Sequence, residues 1–253
     1  MTAAVYTVVR LGRREGLDSG HLVDFSTWLI VVALVGAKVL LIVTNWRFYW
    51  EHPGEIFSWA TLQSGGVFYG GFIAAVFFAV WYVRVHSLPF WKVFDVYSPA
   101  IALGLGIGRL GCFSAGCDYG KPTTSFLGVV FTNTYSHDLT GVPLGVALHP
   151  TQLYESFVVL AIFGYLVWRF RHKSYEGQIF LHYLALYAVA RFSIEFLRGD
   201  DARGFVFDQL LSTSQFIALL ALGTAAALAW HFRSRRDGAQ LKAAIPEAKH
   251  ARG

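Results

Sequence analysis

The feature that most constrains the fold is a series of long apolar runs. A membrane-spanning helix needs about 20 mostly apolar residues, and six runs approach or reach that length. The sequence therefore predicts an all-α integral membrane protein with six full transmembrane helices. The predicted spans are Ser26–Thr44, Gly65–Val83, Val93–Leu110, Gln152–Trp168, Ile179–Phe196 and Gln209–His231.

The composition agrees with a membrane protein. Hydrophobic residues make up 55% of the 253 residues and charged residues only 15%, against about 25% charged in a soluble domain.

Residues 1–9 are too few to span, so we interpret them as the last turns of a truncated N-terminal helix. We expect residues 1–232 to form one membrane domain with a small outer head segment at 111–149. The polar, basic residues 233–253 are typical of a disordered tail.

Basic residues are concentrated in alternate connections between the spans. If the spans alternate in direction, these connections lie on one side of the membrane, which the positive-inside rule assigns to the cytoplasm. The C-terminus is then cytoplasmic, and the head segment lies on the periplasmic side. The net charge of +5 thus indicates membrane orientation rather than nucleic-acid binding. The basic residues are Arg10, Arg13, Arg14, Arg84, Lys92, Arg169, Arg171, Lys173, Arg233, Arg235, Arg236 and Lys242.

Ionisable residues inside membrane segments are costly and are functional candidates by default. Lys38 could instead extend its amine to the membrane surface. Asp95 lies near the start of its helix, where a carboxylate stabilises the helix dipole, so a structural role is favoured for it. Glu155 could cap its helix together with Gln152. The full set is Lys38, Asp95, Arg109, Glu155, Arg191 and Glu195.

One predicted helix carries a polar stripe. Tyr187, Arg191 and Glu195 are spaced by four residues, so they share a helix face, and Arg198 continues it. An ion pair between Arg191 and Glu195 would explain the pattern, but so would a ligand-filled cavity. Because arginine presents a planar fork suited to phosphate, Arg109 and Arg191 together predict a clamp for a phospholipid phosphate.

The two cysteines, Cys112 and Cys117, follow Arg109 on the outer side. Their spacing leaves two alternatives open, a disulfide and a pair of unreacted thiols. A nucleophilic or metal-binding pair is less favoured, because no convincing third and fourth ligand is nearby. We therefore predict no metal site.

Four motifs together resemble the bacterial prolipoprotein diacylglyceryl transferases. The resemblance implies a membrane enzyme without a cofactor that faces the periplasm from the inner membrane. Such an enzyme would move the diacylglyceryl group of phosphatidylglycerol onto the lipobox cysteine in the signal peptide of a prolipoprotein, and glycerol phosphate would leave. The motifs are GGVFYGGF (65–72), GRLGCFSAGCDYGKPT (108–123), HPTQLYES (149–156) and YAVARFSIEFLRGDD (187–201).

The resemblance also implies roles for particular residues. It implies that Asp95 matches an aspartate of the helix before the main signature. Tyr69, Cys112 and Cys117 depart from the family pattern, in which better-known members have His, Asn and often Glu. Tyr69 or His149 could assist removal of the thiol proton. The implied catalytic residues are Arg109, Arg191, Tyr69, Tyr187 and Glu195. The implied phosphatidylglycerol contacts are Arg109, Gly120, Cys112, Arg191 and His149.

Two other functions fit the same residues. One is a related transferase with a different lipid donor or thiol acceptor. The other is a non-catalytic lipid-binding homologue.

Overall fold

Membrane-spanning helices dominate the structure. A computed structural model describes residues 2–58, 61, 66–200, 204–208 and 210–250, with side chains described up to residue 234. Within these ranges, six helices are long and apolar enough to cross a membrane, which confirms the predicted all-α membrane fold. The predicted starts of two spans, Gly65 and Gln209, lie outside the described residues.

The helices are α1 Thr2–Arg14, α2 Ser19–Thr44, α3 Trp46–Glu51, α4 Phe68–Val85, α5 Phe90–Ala115, α6 Thr134–Thr140, α7 Thr151–Phe170, α8 Gln178–Ile194 and α9 Thr213–His250. Two 3₁₀ helices cover Pro53–Phe57 and Glu195–Leu197. The short strands β1 Val129–Val130 and β2 Ala147–Leu148 form one antiparallel pair, and β3 Phe205–Val206 and β4 Leu211–Ser212 form another.

The spans differ from their predicted bounds where local capping extends them. Helix α2 begins at Ser19 rather than Ser26, because the Asp18 carboxylate accepts a hydrogen bond from the His21 amide at 2.9 Å and so caps the first turn. Residues predicted as the remnant of a first helix form α1, which buries Val8 and Leu11. The backbone of α9 is helical to His250, in the region for which the sequence analysis predicts a disordered tail.

The chain divides into two compact units, Met1–Val96 and Tyr97–Gly253. In the first unit, glycines allow α2 and α4 to approach closely. A Cβ on Gly70 would lie 2.4 Å from the Gly36 carbonyl oxygen, and a Cβ on Gly71 would lie 2.7 Å from that of Ala33. Two glycines of the GGVFYGGF motif thus serve helix packing, as small residues commonly do in membranes.

Three functional candidates also lie in the first unit. Lys38 donates a hydrogen bond to the Thr61 carbonyl, which fits an amine extended towards the helix end. Asp95 is fully buried. Tyr69 is 41% exposed, and its ring meets that of Phe68 edge-on.

In the second unit, α5 packs closely on α7. The Ser156 hydroxyl donates to the Gly106 carbonyl at 2.8 Å, and a Cβ on Gly106 would lie 2.7 Å from Leu160. Of the glycines near Arg109, Gly106 therefore has a packing role. A Cβ on Gly104, Gly108 or Gly111 would meet no atom within 4 Å in the part of the chain that the structure describes.

We predict that Gly70→Ala destabilises the protein by about 1–3 kcal/mol, because the added methyl group overpacks the contact between α2 and α4. The measurement is the thermal unfolding midpoint in detergent. Gly164→Ala is the matched control, since a Cβ at this helical glycine would meet no atom within 4 Å. Equal midpoints for the two variants would contradict the predicted packing role.

Candidate active site

The site begins where α5 ends. Gly116 has a φ of +80°, which glycine adopts without a steric penalty. The Cys117 amide donates to the Cys112 carbonyl at 3.2 Å, and the Gly116 amide donates to the Phe113 carbonyl at 3.2 Å. These two bonds form a Schellman motif, which ends the helix and brings the two cysteines together.

The first turn of α7 fixes the loop that follows. The Thr151 hydroxyl donates to the Asp118 carbonyl at 2.7 Å, and the Gln152 side-chain amide donates to the Cys117 carbonyl at 2.6 Å. Thr151 and Gln152 are both almost fully buried. The HPTQLYES motif therefore holds the backbone that carries Asp118.

Gly120 lies between two other backbone segments. Its amide donates to the His149 carbonyl at 3.0 Å, and the next amide, of Lys121, donates to the Leu197 carbonyl at 2.8 Å. A Cβ on Gly120 would lie 2.4 Å from the His149 carbonyl oxygen. The position therefore requires glycine for packing, and this packing connects the head segment to the end of α8.

Glu155 joins the two arginines of the predicted clamp. Its Oε2 atom lies 3.0 Å from Arg109 Nε and 3.2 Å from Arg191 Nη1. Its Oε1 atom accepts a hydrogen bond from the Tyr187 hydroxyl at 3.2 Å. Only 3% of the Glu155 side chain is exposed, so one buried carboxylate holds three predicted site residues in place.

A second layer of ion pairs surrounds this core. Asp118 lies between Arg109 and Arg198, at 2.6 and 2.7 Å. Glu195 lies 2.8 Å from Arg191 and 3.8 Å from Arg198. Arg198 also pairs with Asp200 through two hydrogen bonds, of 2.8 and 2.6 Å.

Among the described residues, the network holds three guanidinium groups and four carboxylates, a formal excess of one negative charge. Arg191 also donates to the Ser214 hydroxyl at 2.9 Å. Asp118 is the most accessible of the four carboxylates, with 31% of its side chain exposed against 3% for Glu155 and 1% for Glu195. An incoming anion would therefore displace Asp118 from Arg109 more readily than it would displace Glu155.

Cys117 and Arg198 lie outside the membrane-spanning helices, and both have shifted pKa values. Burial alone would lower the pKa of Arg198, but its hydrogen bond with Asp200 and the neighbouring carboxylates raise it, so the guanidinium stays charged. The hydrogen bond with Cys112, together with burial, raises the pKa of the Cys117 thiol. Since the thiolate is the reactive form, Cys117 is a poor nucleophile in this setting.

The second unit brings together most of the predicted site residues. Arg109, Arg191, Tyr187 and Glu195 share the ion-pair network. Cys112 precedes the Asp118 loop, and Gly120 contacts the backbone of His149. The His149 ring nitrogen Nδ1 lies 3.3 Å from the Tyr154 hydroxyl. Tyr69 belongs to the first unit.

Sequence reasoning assigned too small a role to several residues. Glu155 is a candidate in the sequence as a carboxylate inside a span, with a helix cap shared with Gln152 as the alternative; the structure instead pairs it with two arginines. Asp118 and Asp200 lie outside the predicted spans, and Ser214 is an uncharged residue near a helix start. Asp118 and Asp200 lie within two of the quoted family motifs, which is the signal that could have marked them, whereas Ser214 lies outside all four. The role of each depends on which arginine it faces.

Fold and site together define a multi-pass membrane protein with a buried arginine–carboxylate network at one end of its helices. The family model for prolipoprotein diacylglyceryl transferase matches residues 1–231. The chain is 36% identical to the phosphatidylglycerol–prolipoprotein diacylglyceryl transferase of Clostridium tetani, over 87% of this chain and 84% of that protein. It is 34% identical to the enzyme of the same name from Finegoldia magna, over 83% of this chain and 78% of that protein. The chain belongs to the prolipoprotein diacylglyceryl transferase family.

We predict that Glu155→Gln destabilises the protein by about 1–3 kcal/mol, because it removes a carboxylate shared by two buried arginines, each of which keeps one other ion pair. The thermal unfolding midpoint in detergent is the measurement. Glu55→Gln is the control, because Glu55 is exposed in the 3₁₀ helix Pro53–Phe57. A Glu155→Gln midpoint equal to that of the control would show that the bridging charge contributes little.

Proposed function

We propose that the protein transfers the diacylglyceryl group of phosphatidylglycerol to the lipobox cysteine of prolipoproteins. The observation that carries the proposal is the pair of arginines, Arg109 and Arg191, held on one buried carboxylate at the membrane-helix ends. The family membership and the names of the relatives support the choice of donor and acceptor. We place the protein in the bacterial inner membrane, with its site on the periplasmic side and its C-terminus in the cytoplasm, as the charge distribution favours.

The proposed reaction is a displacement at carbon. The acceptor sulfur forms a bond to the glycerol carbon that carries the phosphate, and the bond from that carbon to the phosphate oxygen breaks. The thiol proton passes to a base, and glycerol phosphate leaves with the bonding electrons. The leaving group thus gains negative charge in the transition state, which fixed cations nearby would stabilise.

Arg109 and Arg191 would supply those cations. Both are held by Glu155, so they need little rearrangement when charge develops. The phosphate would take the place of Asp118 on Arg109, because Asp118 is the accessible carboxylate of the network. Asp118 would retain its ion pair with Arg198 at 2.7 Å, so its charge would stay paired during the exchange.

The thiol proton needs an acceptor, because the thiolate is the attacking form. Imidazole can accept a proton near neutral pH, and the His149 backbone is held on both sides by hydrogen bonds with Gly120 and Lys121. We assign His149 this role. Tyr69, at the position where better-known members have His, would donate a hydrogen bond to the lipid headgroup.

We predict that Arg109→Ala and Arg191→Ala each lower the transfer rate by about 10²–10³, the cost of removing one donor to a developing anion. The assay follows the thioether product formed from phosphatidylglycerol and a lipobox peptide by purified protein in detergent. Arg171→Ala is the control, because Arg171 is exposed at the opposite end of α7.

Full activity of both alanine variants would refute the clamp. Wild-type protein that binds phosphatidylglycerol and forms no thioether would favour the non-catalytic lipid-binding homologue. Transfer that depends on another lipid or thiol would favour the related transferase.

We predict that His149→Gln lowers kcat by about 10²–10⁴, the usual contribution of a general base, and flattens the dependence of kcat on pH. Tyr69→Phe should instead raise KM for phosphatidylglycerol more than it lowers kcat. Tyr135→Phe, which changes an exposed tyrosine of the head segment, is the control. A His149→Gln variant with the wild-type pH profile would exclude His149 as the base.

A further inference from the structure

The proposed displacement assigns no chemical step to the thiols of Cys112 and Cys117, which lie beside Asp118. The sulfur atoms of Cys112 and Cys117 and a carboxylate oxygen of Asp118 all lie within 4.8 Å of one another. Both cysteines are free thiols. The spacing of Cys112 and Cys117 in the sequence reveals no third potential ligand, but the fold brings Asp118 beside them.

Local backbone geometry builds this cluster. The Schellman motif places residue 117 beside residue 112 through the amide-to-carbonyl bond of 3.2 Å. Asp118 follows with a φ of +58°, in the left-handed region that aspartate tolerates better than most residues. Gln152 and Thr151 then hold the carbonyl groups of Cys117 and Asp118, so the ligand-bearing backbone is fixed on both sides.

We propose that Cys112, Cys117 and Asp118 bind one soft divalent cation of the zinc class, with a water molecule as the fourth ligand. Zinc prefers four ligands in tetrahedral geometry, with bonds to sulfur of about 2.3 Å, so two of its sulfur ligands are about 3.8 Å apart. Ligand atoms already within 4.8 Å need only small side-chain rotations to reach that arrangement. Two sulfur ligands favour zinc or cadmium over magnesium or calcium, which prefer oxygen.

The charges of the surrounding network permit the ion. Binding converts two thiols to thiolates and releases two protons, so the added charge of the cation is balanced and the net charge of the network does not change. Arg109 lies 2.6 Å from the Asp118 carboxylate, so a fixed positive charge remains beside the cluster. Asp118 keeps lone pairs for the metal while it contacts Arg109 and Arg198, because a carboxylate offers about four acceptor positions.

The test is a metal titration of the reduced, full-length protein in detergent. Cadmium should produce a thiolate-to-cadmium charge-transfer band that saturates at one ion per chain, release protons on binding and be displaced by an excess of zinc. Cys112→Ser and Cys117→Ser should each weaken binding by more than about 100-fold, since loss of an outer-shell partner alone costs about 10–100-fold. Asp118→Asn should weaken it by at least about 10-fold, and Asp138→Asn, in the same head segment, should not.

A second measurement uses only the wild-type protein, in case a variant fails to fold. Bound zinc should protect both thiols from maleimide alkylation. The proposal is overturned if no charge-transfer band forms while both thiols remain titratable, or if zinc gives no protection. It is also overturned if Asp118→Asn binds as tightly as Asp138→Asn, or if protein purified without reductant contains a disulfide between the two cysteines. Each outcome is independent of transferase activity, so it leaves the proposed function untouched.

Discussion

The structure of the site depends on one buried carboxylate. Glu155 contacts Arg109 from α5 and Arg191 from α8, and it accepts a hydrogen bond from Tyr187. Charges in a low-dielectric interior are tolerated only when they are paired, so the three helices α5, α7 and α8 are tied together at this point. The pairing also fixes the orientation of both guanidinium groups.

The backbone around the network is fixed as closely as its side chains. Gly120 permits three chain segments to approach, and Thr151 and Gln152 bind the carbonyl groups of Asp118 and Cys117. Asp118 is thereby held between Arg109 and Arg198, although it lies in a connection rather than a helix. The head segment therefore contributes to the site through its backbone contacts and through one accessible carboxylate.

Much of the site could be predicted from residue type alone. An arginine or glutamate inside an apolar run is unusual. Arg109, Arg191 and Glu195 could therefore be predicted as site residues. Glu155 was also a candidate, but its pairing with Arg109 and Arg191 could not be predicted. Near a helix start, a glutamate can equally cap the helix, and the sequence does not distinguish a cap from a carboxylate shared by two arginines. Gly70 and Gly71 belong to one of the four family motifs, but only the structure shows that they pack α4 against α2.

The sequence by itself determined the membrane class, the six spans and the family, because these depend on the length of apolar runs and on local motifs. Only the tertiary structure decided that Glu155 joins the two arginines and that Asp118 is the most exposed carboxylate of their network. It also brought a carboxylate oxygen of Asp118 within 4.8 Å of the two cysteine sulfur atoms. These contacts join residues that are far apart in the chain, and they depend on which side chains are buried. Neither the contacts nor the burial can be read directly from a linear pattern of residues.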